Sequence, residues 1–568
     1  MRRTVRTGST TRSRSTRLAV VAVVVLAGVG VVACSSESSR SSGAASGGSS
    51  SSAPASSTTV ARPDCTVTGV AAPVAATSVP GSTNDGDLVS FDGTKIRTHW
   101  FPLPAATAKD PKPTVLMGPG WSLAGDSDPD AVGALGAVSI KSLNDAGFNV
   151  LTWDPRGFGA SGGAAQVDSK ESEGRDVQQL LQWVSEQPGV QLDAPGDPRV
   201  GMVGGSYGGG IQLVTAGIDC RVDAIVPIIA WNSLGTSLFK AETVKQGWAG
   251  VLTKASASAN VDPVVSDSYQ QGLDTGTITD AQRDWFLARG PGDLLDAITV
   301  PTLIIQGTVD TLFTLDEGVA NYAVLRGNGV PVAMMWFCGG HGICLTDPGD
   351  TARVERASIA WLQHFVAGDA SVELGPRVDI VDQKGVRYTA ADLPAPTGSL
   401  TGTGSGTLQL TADGGAGPVT ETPGGKDLVG GLAQSITPAR ATNAVDVAVK
   451  VETGPQLVLG APQLKLKYSG SVPAGERPTR VFAQLVDDSN GVVVGNQITP
   501  VPLILDGAVH DVSVPMETVA FTAATGSSIT LQLVPTTVAY AQPRLGGQVD
   551  FQKIDVSLPV VTGMKRRG

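Results

Sequence analysis

A glycine-flanked serine, Gly204-Gly205-Ser206-Tyr207-Gly208, stands where the apolar run RVGMVG ends and the helix-forming stretch GGIQLVTAG begins. A serine hydroxyl is a weak nucleophile at neutral pH. It attacks a carbonyl only with a base beside it and donors for the oxyanion that develops. A strand, a strained turn and a helix supply that setting: the turn exposes the hydroxyl, glycines avoid clashes, and the helix N-terminus presents its positive end. The spacing nominates Ser206 as nucleophile and the backbone N–H of Tyr207 as one oxyanion donor. A G-x-S-x-G string alone is weak in a chain with 71 glycines, so its partners decide the matter.

The chain has four histidines. His99 falls in an early strand pattern, His364 beside Trp361 on a packed helix, and His510 in a β-rich region, so each reads as structural. His341 sits in the loop CGGHGIC after the apolar run VAMMWF, where a base needs to emerge. Asp310 follows the preceding run PTLIIQG in GTVDTLF, while Asp316 and Glu317 read as the acidic first turn of a helix. The order Ser206, Asp310, His341 is that of the α/β-hydrolase fold. In such a triad the imidazole takes the serine proton and the carboxylate fixes its tautomer. The loop GPGWSLAGD, after the run PTVLM, offers the backbone N–H of Trp121 as a second oxyanion donor.

These residues need a scaffold. PTVLMG, NVLTWD, RVGMVGG, VDAIVPIIAW, PTLIIQG and VAMMWF read as buried strands separated by helical patterns, one marked by Val177, Leu180, Leu181 and Val184, another by Val354, Ala357, Trp361 and Phe365. This alternation predicts a mostly parallel sheet with helices on both faces over about 81–370. Residues 232–298 break the rhythm with helical patterns and are expected to form a cap. Over 376–568, short alternating runs such as NAVDVAVKVE, PQLKLKYSG and SSITLQLVP predict an all-β sandwich or jelly roll, with a hairpin at Asn490 and Gly491.

The 41 basic against 52 acidic residues leave a net charge of -11, which excludes a nucleic-acid surface. Residues 1–33 have the basic, apolar and small-residue layout of an export signal, and the apolar stretch is shorter than a membrane span requires. Val31-Val32-Ala33-Cys34 is similar to a bacterial lipobox, with Cys34 as the lipidated residue and 34–80 as a Ser/Gly/Ala-rich tether. The expected location is therefore the extracytoplasmic side of a bacterial membrane, held by lipid on Cys34. Arg2 and Arg3 do not select an export route. Cys65, Cys220, Cys338 and Cys344 permit two disulfides in an exported protein, one of them closing the loop around His341. No metal-ligand cluster, Walker A sequence or dinucleotide fingerprint is present, so no cofactor is expected.

With these pieces in place the chain resembles the X-Pro dipeptidyl-peptidase and cocaine-esterase-like hydrolases, through GGSYGGG around Ser206, WDPRGFGASGG at 153–163, and a trailing β domain. The second segment matches the family pattern DxRGxGxSxG at Asp154, Arg156, Gly157, Gly159, Ser161 and Gly163. The resemblance implies hydrolysis of a small-molecule ester or peptide substrate, a C-terminal jelly roll, and a bracing role for Arg156. It departs from the family where GPGW lacks the tyrosine that cocaine-esterase-like members use as an oxyanion donor, and where the elements that bind a free N-terminus and proline are absent. An acyltransferase on the same fold, and a surface binding lipoprotein with an inert hydrolase domain, remain open alternatives.

Overall fold

The computed structural model describes residues 65, 74–131, 133, 138–418 and 433–567. The export segment 1–33, Cys34 and most of the 34–80 tether lie outside these described residues.

Three antiparallel strands, Val74–Ser78, Asp85–Val89 and Lys95–Phe101, lead into a parallel core, and Lys95–Phe101 pairs with Asn149–Trp153 rather than with the next strand in sequence. From there the order runs Asn149–Trp153, Thr114–Gly118, Val200–Gly205, Val222–Ile228, Thr302–Gly307, Val332–Phe337, with every neighbour in this series parallel. Asn149–Trp153, Val222–Ile228 and Thr302–Gly307 are buried along their whole length, as parallel strands covered on both faces must be. Alternate side chains feed two cores. Leu116, Leu151, Met202 and Ile304 join Leu180, Leu181 and Leu325 on one face. Val115, Val150, Val203 and Ile305 join Ile140, Leu143 and Trp361 on the other. The strand order and the helices on both faces make this an α/β-hydrolase fold.

Residues 232–298 form short helices, among them Leu234–Leu238, Gln246–Ala255, Pro263–Thr275 and Asp280–Leu287. The sheet extends past the boundary expected near 370–376. Val378–Val381 pairs parallel to Val332–Phe337, Arg387–Ala390 returns antiparallel, and Lys565–Arg567 closes that edge. Val378–Val381 is fully buried, and such a short apolar run is indistinguishable in sequence from the β-rich region that follows it. The β-region proper starts at Gly398–Gln409 and forms two antiparallel sheets. Val447, Leu466, Leu485, Phe521, Leu531 and Ile554 share the core of this β-sandwich. Gly491 makes the positive-φ turn of the hairpin between Arg480–Asp487 and Val492–Val493.

Candidate active site

Ser206 lies between Val200–Gly205 and the helix Tyr207–Ile218, at φ 56° and ψ −116°. A non-glycine residue holds such a conformation only where its surroundings impose it. Here the Ser206 N–H donates to Ile228 O (2.9 Å), and its carbonyl accepts from Gly209 and Gly210 at 2.8 and 2.9 Å. Gly208 is required by proximity, since a Cβ there would lie 2.1 Å from the Gly118 carbonyl oxygen. That close approach sets the loop beginning at Pro119 against the elbow. Tyr207 is the first residue of the helix, so its N–H has no acceptor within the helix.

The structure brings Ser206, His341 and Asp310 together. Ser206 Oγ is 2.8 Å from His341 Nε2, and His341 Nδ1 is 2.7 Å from Asp310 Oδ2. His341 is 5% exposed and Asp310 is fully buried, so the carboxylate depends on protein donors. It has them: Leu312 and Phe313 N–H donate to Oδ1 at 2.9 and 2.8 Å, and His341 N–H donates to Oδ2 at 3.0 Å. The imidazole is held between aromatic edges, with Trp248 at 5.8 Å and Phe313 at 5.0 Å. The Cys338–Cys344 disulfide spans the loop that carries His341, and Cys65 is bonded to Cys220. Asp316 and Glu317 open the helix Leu315–Gly327. Glu317 accepts from the N–H groups of Asn232 and Ser233, and Asp316 bonds Thr518. His99 lies between Asp85 and Asp154, His364 bonds Val372 O, and His510 bonds Asp506.

The Trp121 ring packs against Tyr207 at 5.4 Å, and its indole N–H donates to Leu252 O (3.1 Å). Arg156 grips Asp176 with two bonds of 2.7 Å and reaches Asp92 at 3.1 Å. Burial opposes its charge, and these carboxylates hold its pKa above the ordinary value. Asp154 accepts from Gly125 and Ala160 N–H, and Ser161 Oγ donates to Asp154 O. The 153–163 motif is thus a knot that ties loops together beside the elbow.

Three residues in contact with the acid's turn went unread in the sequence. Gln497 donates to the Asp310 carbonyl at 2.6 Å, Lys245 to the Leu312 carbonyl at 2.9 Å, and Gln306 to the Phe313 carbonyl at 2.6 Å. Gln497 comes from the β-sandwich, and its neighbour Asn496 (φ 54°) donates to Ile343 O at 2.9 Å in the loop that carries His341. Glutamines and asparagines so far away in sequence carry no local signal of this kind.

Behind the elbow, Asp168 is fully buried and neither of its carboxyl oxygens has a hydrogen-bond partner. Burial pushes its pKa well above the usual range, and neighbouring Glu173 is pushed up to about 7 for the same reason. A carboxyl that stays protonated in the fold but ionises in the unfolded chain costs stability as pH rises above the unfolded value of about 3.9. Asp168→Asn is therefore expected to raise Tm by about 2 °C at pH 8 and to match wild type near pH 4, in paired thermal melts. Equal melting temperatures at both pH values would show that Asp168 is ionised in the fold.

Residues 92–342 match the family described as X-Pro dipeptidyl-peptidase (S15 family). A polyketide transferase, grgF, from a Penicillium species is 27% identical over 157 residues, which are 27% of this chain and 47% of that protein. The chain thus spans about half the length of this curated relative. An aminopeptidase from a marine sediment archaeon (Thaumarchaeota archaeon) superposes with a TM-score of 0.62 at 14% identity, covering 86% of this chain and 99% of the other. An α-amino acid ester hydrolase gives 0.61 at 14% identity, covering 90% and 100%. Identities this low speak to the fold alone.

Proposed function

We propose that the chain is an exported serine hydrolase that cleaves ester or amide bonds through an acyl-enzyme on Ser206. The observation that carries this reading is the continuous chain of short bonds from Ser206 Oγ through His341 to a buried carboxylate, built on a positive-φ serine. His341 Nε2 takes the hydroxyl proton as Oγ attacks the acyl carbon, and the oxyanion forms against the N–H groups of Tyr207 and Trp121. His341 then returns the proton to the departing alcohol or amine. Water repeats the sequence: His341 removes its proton as the oxygen attacks the acyl carbon, then gives it to Ser206 Oγ as the ester breaks, and a carboxylic acid leaves. Asp310 holds Nδ1 protonated so that Nε2 faces Ser206 as an acceptor. The match to a peptidase family supports acyl hydrolysis as the reaction class.

Labelling with a fluorophosphonate tests this reading. The expected result is one adduct, mapped to Ser206 by mass spectrometry and absent from Ser206→Ala. A folded wild type that takes no label would sink it. The polyketide transferase relative favours a second reading, acyl transfer to an acceptor other than water. Product analysis with added alcohols and amines separates the two, because a transferase makes new esters or amides in preference to free acid.

Anchoring on the extracytoplasmic side through lipid on Cys34 belongs to the same proposal, and the two disulfides suit an oxidising compartment. Cys34→Ser should then move the protein from the membrane fraction to the soluble fraction.

Gln497→Ala removes the donor from the carbonyl of the acid. Its expected consequence is a fall of about tenfold in kcat with KM unchanged, because a base displaced by a fraction of an ångström misaligns the proton transfer. Gln497→Glu, which faces one acceptor with another, should be worse. Wild-type kcat in both variants, at an unchanged Tm, would make this contact incidental.

A further inference from the structure

The helical cap contains a small cavity of about 60 Å³, which the chemistry at Ser206 does not account for. Its walls include Leu234, Leu238, Ala249, Leu252, Val265 and Phe286. Its walls pack against residues of the candidate site on two sides. The helix Gln246–Ala255 places Trp248 edge-on to the His341 ring, and Leu252, one turn further on the same face, lines the cavity. The Leu252 carbonyl accepts the Trp121 indole N–H, so the cavity wall is tied to the residue nominated to hold the acyl oxygen. On the other side, Leu234 follows Trp231, which packs on Phe313 at 5.0 Å, and Phe313 in turn meets His341. Leu234, Trp231, Trp248, Trp121, Tyr207 and Phe313 belong to one apolar cluster.

The chemistry of the lining narrows the occupant. Among the described residues no acidic side chain lines the cavity, so a substrate's free ammonium group would find no counter-charge on those walls. Arg283, the only charged residue among the described lining, is engaged by Asp280 at 2.9 Å and Asp284 at 3.3 Å. An apolar hollow left empty forfeits dispersion contacts, which an apolar chain restores. We infer that the cap cavity receives the acyl chain of the substrate, and that the preferred class is esters of short to medium alkanoic acids rather than aminoacyl esters or amides. This inference rests on the hydrolase reading of Ser206.

The test compares p-nitrophenyl acetate, p-nitrophenyl hexanoate and alanine p-nitroanilide on the full chain, with fluorophosphonate labelling of Ser206 run in parallel. In wild type, kcat/KM for hexanoate should exceed that for acetate by about tenfold or more, and the anilide should be the poorest substrate. Ala249→Trp, which fills the cavity, should lower the hexanoate value by about tenfold, leave acetate within about twofold, and still label at Ser206. Leu252→Ala, which widens it, should raise the ratio of octanoate to hexanoate. Acetate as the best ester, equal losses on both esters in Ala249→Trp, or a preference for the alanine anilide would overturn the inference while leaving the hydrolase reading intact. Absence of label from the wild type would remove the hydrolase reading itself.

Discussion

Ser206→Ala is expected to lower kcat by about 10⁵-fold on an activated ester, His341→Ala by a similar factor, and the double variant by no more than either alone. The non-additivity is the informative part. Ser206 Oγ and His341 Nε2 are 2.8 Å apart and form one proton-transfer unit, so once either is gone the other has nothing to act on. Residual turnover above the uncatalysed rate would come from the proposed oxyanion donors, the N–H groups of Tyr207 and Trp121, acting on an oxyanion formed by direct attack of water. The Ser206→Ala variant should melt within about 1 °C of wild type, because alanine keeps the Cβ that strains a residue at φ 56° and the backbone bonds to Ile228 O, Gly209 and Gly210 do not involve the side chain. Single variants whose losses add, or a serine variant within about tenfold of wild type, would show that Ser206 and His341 do not act together.

The meeting of Ser206, His341 and Asp310 was readable because each stands at a strand end with a local signature: glycines around Ser206, a Gly-rich loop around His341, a short turn after PTLIIQG at Asp310. Periodicity located the central strands because parallel strands buried on both faces are apolar throughout. What stayed hidden was non-local. Val378–Val381 and Lys565–Arg567 extend the catalytic sheet, yet a short strand shows in sequence only that it is apolar or alternating, not which sheet it joins. Gln497 and Asn496 reach the acid and base loops from the β-sandwich, and no spacing rule links positions that far apart. Lys245 was concealed differently: a lysine is normally a surface residue, and this one is 2% exposed, with its ammonium on the Leu312 carbonyl. Burial lowers its pKa, so its one donor contact on the acid's turn is made by a cation that the interior tolerates poorly.

Asp310→Asn should lower kcat by about 10⁴-fold while the protein stays folded. The reason lies in the four groups around this carboxylate. Leu312 and Phe313 N–H point at Oδ1, while the backbone N–H and Nδ1 of His341 point at Oδ2. All four are donors when Nδ1 carries the proton, and a carboxylate accepts from them all. An asparagine has one oxygen for four donors. With that oxygen on the Leu312 and Phe313 N–H groups, its NH₂ faces His341, opposes the backbone N–H, and forces Nδ1 to become an acceptor. The ring proton then moves to Nε2, where it points at Ser206 and cannot accept the hydroxyl proton. Turning the amide over restores the tautomer but sets NH₂ against two backbone N–H groups in a fully buried site, at a cost of about 1–3 kcal/mol. The first orientation loses activity and the second loses stability. Fluorophosphonate labelling rate and Tm measured on the same sample distinguish them, with slow labelling at a Tm within a few degrees of wild type expected. Asp310→Asn with activity within about tenfold of wild type would remove Asp310 from the triad, since neither Asp316 nor Glu317, engaged by Thr518 and by the Asn232 and Ser233 N–H groups, is bonded to His341 in this arrangement.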